Sequence, residues 1–158
     1  FKPIYSLTCH KHLFIVGSGP LEGLLRMKIK HRKLEEKVTL LGALPQEKLF
    51  EYIKASDVFV LNTSYEGFSH QLLEVMALGT PVVTTAVGGN IEIMTGDVLG
   101  SVLVSNPNDG GSFKMFIKHF SVDSNFVDKI VVAGRERASE FSDERMLKQL
   151  SYELASMA

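Results

Sequence analysis

The stretch Tyr65-Glu66-Gly67-Phe68-Ser69-His70-Gln71-Leu72-Leu73-Glu74, running on through Ala77-Leu78-Gly79-Thr80-Pro81-Val82-Val83, decides what fold this chain can take. It places a glutamate in a loop, a helix N-terminus directly behind it with Ser69 as the expected N-cap, and a second glutamate on that helix. At about 1.5 Å of rise per helical residue, Glu74 stands roughly 7 Å along the helix from Ser69. The two carboxylates can each accept hydrogen bonds from a polyol, with the amides of Phe68, Ser69, His70 and Gln71 free between them to hold an anion. Polyol, anion, polyol is the outline of a nucleotide diphosphate sugar.

Outward from this stretch, short β-branched runs alternate with helix-period segments, the pattern of βαβ units and a parallel sheet. Strands are expected over 12–16, 38–41, 58–62, 81–85 and 100–104. Leu21, Leu24 and Leu25 open one apolar helical stripe and Leu49, Phe50 and Ile53 another. Pro20 and Pro45 suit first helical turns, where a missing N–H costs nothing. The last third reads as helices over 111–120, 123–140 and 143–156, with Asp123 and Ser142 as caps and Asp143-Glu144 at the positive end of the last dipole. The expected class is α/β, a Rossmann-like parallel sheet flanked by helices, with a helical C-terminal tail.

The chain has 158 residues, 45% of them hydrophobic, which fits one domain over 1–158 with a sizeable core. A formal charge of −1 gives no reason to expect nucleic acid. The basic run Lys28-Ile29-Lys30-His31-Arg32-Lys33 is followed by Glu35 and Glu36 and reads as a solvated helix end. Cys9 is the only cysteine, so no intrachain disulfide can form and a cytoplasmic location is expected. No apolar run approaches the roughly 18 to 20 residues that span a bilayer. Any membrane contact is expected to be peripheral and a property of a longer protein.

Two glutamates at this spacing, running into Leu73-Glu74-Val75-Met76-Ala77-Leu78-Gly79-Thr80-Pro81-Val82-Val83 and then Gly88-Gly89-Asn90-Ile91-Glu92, resemble the donor-site signature of the family-4 retaining glycosyltransferases of GT-B fold. The resemblance extends through Phe14-Ile15-Val16-Gly17-Ser18-Gly19-Pro20, Val38-Thr39-Leu40-Leu41-Gly42 and Ser56-Asp57-Val58-Phe59-Val60. It implies the C-terminal, donor-binding domain of a two-domain enzyme. Family members begin this domain with a strand and helix that supply an Arg and a Lys to the diphosphate; residues 1–11 do not read as that unit. The expectation is therefore a fragment, without its first strand and without the acceptor-binding N-terminal domain, and inactive by itself.

The resemblance assigns Glu66 to the hydroxyls of the transferring sugar, as the catalytic-site residue, against the plainer reading of a surface loop acid. Gly67 after it permits close backbone approach, and the preceding strand delivers the loop to the edge where open α/β sheets bind ligands. Glu74 is assigned to the ribose 2′ and 3′ hydroxyls, in competition with an exposed helix acid. His70 could add a side-chain bond to phosphate, pair with Glu74, or simply be exposed. Gly17-Ser18-Gly19-Pro20-Leu21-Glu22-Gly23 is one residue longer than the dinucleotide fingerprint and reads mainly as a tight turn whose Gly17 and Gly19 border the crevice. Backbone groups of Ala43 and Leu44 are candidate base contacts, as in enzymes the chain resembles, against simple packing. Gly88-Gly89 could turn amides toward sugar or phosphate, or be a tight turn only.

The expected activity is transfer of a hexose from a UDP-, GDP- or ADP-sugar to an acceptor hydroxyl on a glycan or lipid, with no cofactor and no metal. The five histidines, at 10, 12, 31, 70 and 119, form no H-E-x-x-H, and no G-x-S-x-G points to hydrolysis. A non-catalytic nucleotide-sugar binding module and a GT-B-fold nucleotide-sugar epimerase stand as alternatives.

Overall fold

The computed structural model describes residues 12–141 and the backbone of Ile4–Tyr5. Cys9, His10 and the expected helix over 143–156, with its caps Ser142 and Asp143-Glu144, lie outside the described residues. Six strands and seven helices follow in the described residues: β1 Ile4–Tyr5, β2 Leu13–Val16, α1 Glu22–His31, β3 Val38–Gly42, α2 Gln46–Lys54, β4 Phe59–Leu61, α3 His70–Leu78, β5 Val82–Thr85, α4 Gly89–Ile93, α5 Gly96–Gly100, β6 Leu103–Val104, α6 Gly110–Val122 and α7 Ser124–Glu140. The expected α/β class is the one found.

Parallel pairing dominates. β4 pairs with β5 from Phe59↔Val82 to Leu61↔Thr84, β5 with β6 through Thr84↔Leu103, and β2 with β3 from Leu13↔Val38. The hydrogen bonds form two ladders, β1-β4-β5-β6 and β2-β3, where one parallel sheet was expected. β1 departs from the parallel rule: Ile4 and Tyr5 run antiparallel to Leu61 and Val60.

The strand expected over 100–104 shrinks to two residues behind the one-turn helix α5. Leu99 in α5 and Val102 in the turn after it are both buried, and their spacing of three is that of a helical turn and not of a strand's period of two. Pro45 sits one position earlier than expected, at the N-cap of α2, and Pro20 falls in the turn before α1.

β4 and β5 are buried along their whole length and form the centre of the core with Leu72, Val75 and Met76 of α3, Ile93 and Met94. The spacing 72, 75, 76 is one face of a helix, and that face fixes the rotation of α3 on the sheet. α7 crosses α3 closely because Gly134 carries no side chain; a Cβ there would meet Met76 Cγ at 3.4 Å. Gly79 ends α3 in the left-handed conformation, φ 81°, as a glycine C-cap does. α3 is thereby pinned by its inner face and its C-terminal end, which leaves its N-terminus at the C-terminal edge of β4 and β5.

Candidate functional site

The segment leaving β4 is shaped by buried hydroxyls. Thr85 Oγ1 donates to the Thr63 carbonyl at 2.6 Å and accepts from the Thr63 amide at 3.2 Å. Thr84 Oγ1 donates to the Leu61 carbonyl at 2.9 Å, and Thr63 Oγ1 to the Tyr65 carbonyl at 2.7 Å. Asn90, fully buried, donates through Nδ2 to Thr84 Oγ1 and to the Thr85 carbonyl, both at 3.1 Å. Its Oδ1 is buried without a hydrogen-bond partner in the described structure. The paired groups of this network are held in one geometry because any loosening leaves them unpaired.

The Gly88-Gly89 turn presses directly on the loop that holds Glu66. Gly88 has φ 48°, and a Cβ on it would lie 1.8 Å from the Glu66 carbonyl oxygen; one on Gly89 would lie 2.1 Å from that of Gly67. The Gly89 amide donates to the Gly67 carbonyl at 2.8 Å. Of the two sequence readings of this pair, the tight turn describes Gly89, whose amide is spent within the protein. Its glycines serve contact between two backbones, which no side chain could survive.

Glu66 and Glu74 are both half-buried and flank the N-terminus of α3, as the spacing requires. Ser69 occupies the N-cap position, φ −86° and ψ 87°, yet its hydroxyl makes no capping hydrogen bond. The expected cap is thus a cap in position only. The His70 amide turns back to the Phe68 carbonyl at 3.2 Å, closing an inverse γ-turn, so it is partly engaged. α3 has no acidic residue in its first turn. Its positive dipole end is therefore met by no capping side chain of its own, the arrangement that favours a bound anion.

His70 stands edge-on to Phe68, ring centroids 5.5 Å apart. Glu74 is met instead by Gln46, whose Nε2 donates to Oε1 at 3.1 Å. That contact joins the first residue of α2 to the helix carrying Glu74, and nothing in the motif spacing pointed to it. Ala43 is exposed just before α2, while the half-buried Leu44 packs against the core, as the packing reading of that side chain had it. Gly17, φ 118°, donates its amide to the Gly42 carbonyl at 2.7 Å, and the Gly19 carbonyl accepts from Glu22 at 3.1 Å. The Gly17 and Gly19 loop is thus a tight turn tied to the end of β3.

A concavity of about 440 Å³ lies at the opposite edge, among Ser56, Asp57, Gly79, Pro81 and Phe120, where β4 and β5 begin. The helix N-terminus there is already filled: Asp123 accepts from the Phe126 amide at 2.9 Å. Volume and chemistry therefore separate, and the helix N-terminus without a side-chain cap, between two glutamates, lies at the other edge. Among the described residues, no group of three or more His, Cys, Asp and Glu is placed to hold a metal ion. Nor is any described helix long and apolar enough to cross a membrane.

Residues 10–137 match the family described as glycosyl transferases group 1. The amylovoran biosynthesis glycosyltransferase AmsK of Erwinia amylovora is 30% identical over 151 residues, which are 91% of this chain and 37% of that protein. The putative colanic acid biosynthesis glycosyltransferase WcaL of Salmonella typhimurium is 28% identical over 87% of this chain and 35% of its own length. Among solved structures, sucrose-phosphate synthase from Thermosynechococcus elongatus superimposes with a TM-score of 0.74 at 27% identity, covering 92% of this chain and 39% of that one. Anabaena HepE, solved in complex with UDP, gives a TM-score of 0.79 at 22% identity over 96% and 42%. The chain spans little more than a third of the length of these curated relatives.

Proposed function

The chain belongs to the glycosyl transferases of group 1, and on that premise we propose that it is the donor-binding part of a retaining enzyme that moves a hexose from a nucleotide diphosphate sugar to an acceptor hydroxyl. The observation that carries this reading is the open N-terminus of α3 standing between Glu66 and Glu74. The amides of 68–71 take the diphosphate, Glu74 accepts from the ribose hydroxyls, and Glu66 from hydroxyls of the transferring sugar. Charge grows on the diphosphate as the glycosidic bond breaks, and donors aimed at that charge stabilise the transition state more than the ground state. A donor phosphate oxygen takes the acceptor proton on the same face, so this chain supplies no general base. No metal or cofactor is part of the proposal. Relatives named for amylovoran and colanic acid biosynthesis favour a role in polysaccharide assembly; the cytoplasmic location and the glycan or lipid acceptor, held outside this chain, are part of the same proposal.

The two carboxylates separate by role, and that is the test. Ribose changes little during reaction, so Glu74→Ala raises the donor KM more than it lowers kcat; the sugar ring changes most, so Glu66→Ala lowers kcat more. Each loss is on the order of 10 to 150-fold, the size of a hydrogen bond to a charged group. By calorimetry, free nucleoside diphosphate loses affinity with Glu74→Ala and hardly changes with Glu66→Ala. The reverse ranking inverts the donor in the crevice, and indifference to both removes the site.

A further inference from the structure

Phe141 closes α7, and several contacts meet at its ring and its neighbour Arg137. The Arg137 guanidinium lies over the Phe141 ring, 4.7 Å from its centroid. The same guanidinium donates through Nε to the Ile93 carbonyl at 3.1 Å and through Nη2 to the Glu92 carbonyl at 2.6 Å, at the C-terminal end of α4. It also pairs with Glu140. α4 begins at the Gly88-Gly89 turn, which presses on the backbone of Glu66, Gly67 and Phe68. Phe141 meets Phe68 from the other direction, with centroids 5.3 Å apart and rings inclined by 56°. The path is closed: donor loop, glycine turn, α4, Arg137, Phe141 and back to the donor loop.

Phe68 is 40% exposed and lies outside the apolar core, so its hold on the loop depends on its aromatic neighbours Phe141 and His70. A tilted aromatic pair and a guanidinium over a ring are both attractive beyond the area they bury. We propose that Phe141, clamped by Arg137, is a positioning residue for the amides of 68–71: by packing on Phe68 it sets the direction in which those amides converge on a diphosphate. The inference rests on the donor-site reading of Glu66 and Glu74. Its signature is selective for a nucleoside diphosphate, because base and ribose are met elsewhere and of that ligand only the diphosphate depends on how the loop is aimed.

The test compares Phe141→Ala with Phe141→Tyr and with Phe126→Ala in the full chain. Phe126 stacks on His119 at 4.2 Å, between α6 and α7, and serves as a control for general loosening. Calorimetry with UDP, GDP and ADP and with the matching nucleosides is expected to show the preferred diphosphate weakened by roughly 2- to 10-fold in Phe141→Ala, the scale of one aromatic pair. The nucleoside stays unchanged, Phe141→Tyr restores the affinity, and Phe126→Ala leaves the ratio alone. Hydrogen exchange gives a second readout without ligand: the His70 and Gly89 amides, bonded to the Phe68 and Gly67 carbonyls, exchange faster in Phe141→Ala while those of Val75 and Met76 do not. Should Phe141→Ala fail to fold, Phe141→Leu, which keeps apolar bulk and loses the ring, is read the same way. Equal weakening of diphosphate and nucleoside, or no change in affinity and exchange, overturns the positioning role while leaving the donor site standing. An unaltered chain that binds none of the three diphosphates overturns both.

Discussion

The N-termini of α3 and α6 start from nearly the same backbone and end in opposite electrostatic states. Ser69 has φ −86° and ψ 87°, Asp109 has φ −83° and ψ 74°. In each, the next amide turns back on the preceding carbonyl, His70 to Phe68 at 3.2 Å and Gly110 to Asn108 at 3.1 Å. At α6 the Asp109 carboxylate then accepts from the Ser112 amide at 3.1 Å and from its hydroxyl at 2.5 Å, closing the helix with its own charge. At α3 the Ser69 hydroxyl caps nothing and no acid enters the first turn. A side-chain cap typically contributes about 0.5 to 2 kcal/mol, so α3 forgoes stability that α6 takes. Packing of Leu72, Val75 and Met76 into the core carries α3 without it. One end is closed by its own side chain; the other is not.

The largest expected difference between the two ends comes from adding one methyl group. Gly88→Ala puts a Cβ 1.8 Å from the Glu66 carbonyl at a left-handed φ of 48°, combining overpacking of about 1 to 3 kcal/mol with backbone strain of about 1 to 2 kcal/mol. Gly110→Ala, with nothing within 4 Å of the new atom, should instead stabilise by about 0.4 to 1 kcal/mol. Urea unfolding of both variants checks the opposite signs. A Gly88→Ala chain as stable as the parent would mean that the loop around Glu66 is not held as described.

Next in size is the response to a nucleoside diphosphate. Followed amide by amide in NMR spectra, the ligand should shift and protect 68–71 and leave 110–113 where they were, because the Asp109 carboxylate already occupies that helix end and accepts from the Ser112 amide. Equal movement at both ends would reduce binding to nonspecific anion attraction.

A smaller contrast follows from the caps themselves. Asp109→Ala should lower the urea midpoint, because it strips both bonds to Ser112, whereas Ser69→Ala should leave it nearly unchanged, because no capping bond is lost. A larger loss from Ser69→Ala would show that the α3 terminus is capped after all.

The smallest effect is acid-dependent. The Asp109 carboxyl is held below its ordinary pKa of 3.8, first by the Ser112 hydroxyl and then by the Ser112 amide. A depressed folded pKa means that this stabilisation is complete above the unfolded value and is lost as pH falls through the folded one. Going from about pH 5 to about pH 3, the unaltered chain should therefore lose more of its urea midpoint than Asp109→Asn does. Full exposure keeps the difference small, and identical acid limbs would remove this carboxylate from the account.

Much of this was legible because it depended on local chemistry. The runs around Phe59-Val60-Leu61 and Val82-Val83-Thr84-Thr85 read as strands alternating with helical segments, and a helix start was readable behind the loop glutamate Glu66. Asp123 was readable as a cap and accepts from Phe126 as caps do. Less was legible over 98–104, where a strand was expected from 100 and packing made the end of α5, a turn at Val102 and the two-residue β6.

By itself, then, the order of residues determined the α/β alternation, the placing of Glu66 and Glu74 on either side of a helix start, and the family. Tertiary structure alone decided that the Ser69 hydroxyl would not cap, that the Gly89 amide would be spent on Gly67, and that Gln46 would meet Glu74 from another helix. It also brought Arg137 and Phe141 from the end of α7 onto Phe68. The physical reason is range: helix periodicity, capping and turn preference act over about four residues. A contact between residues 68 and 141 exists only once α7 has crossed α3, over the gap that Gly134 leaves for Met76.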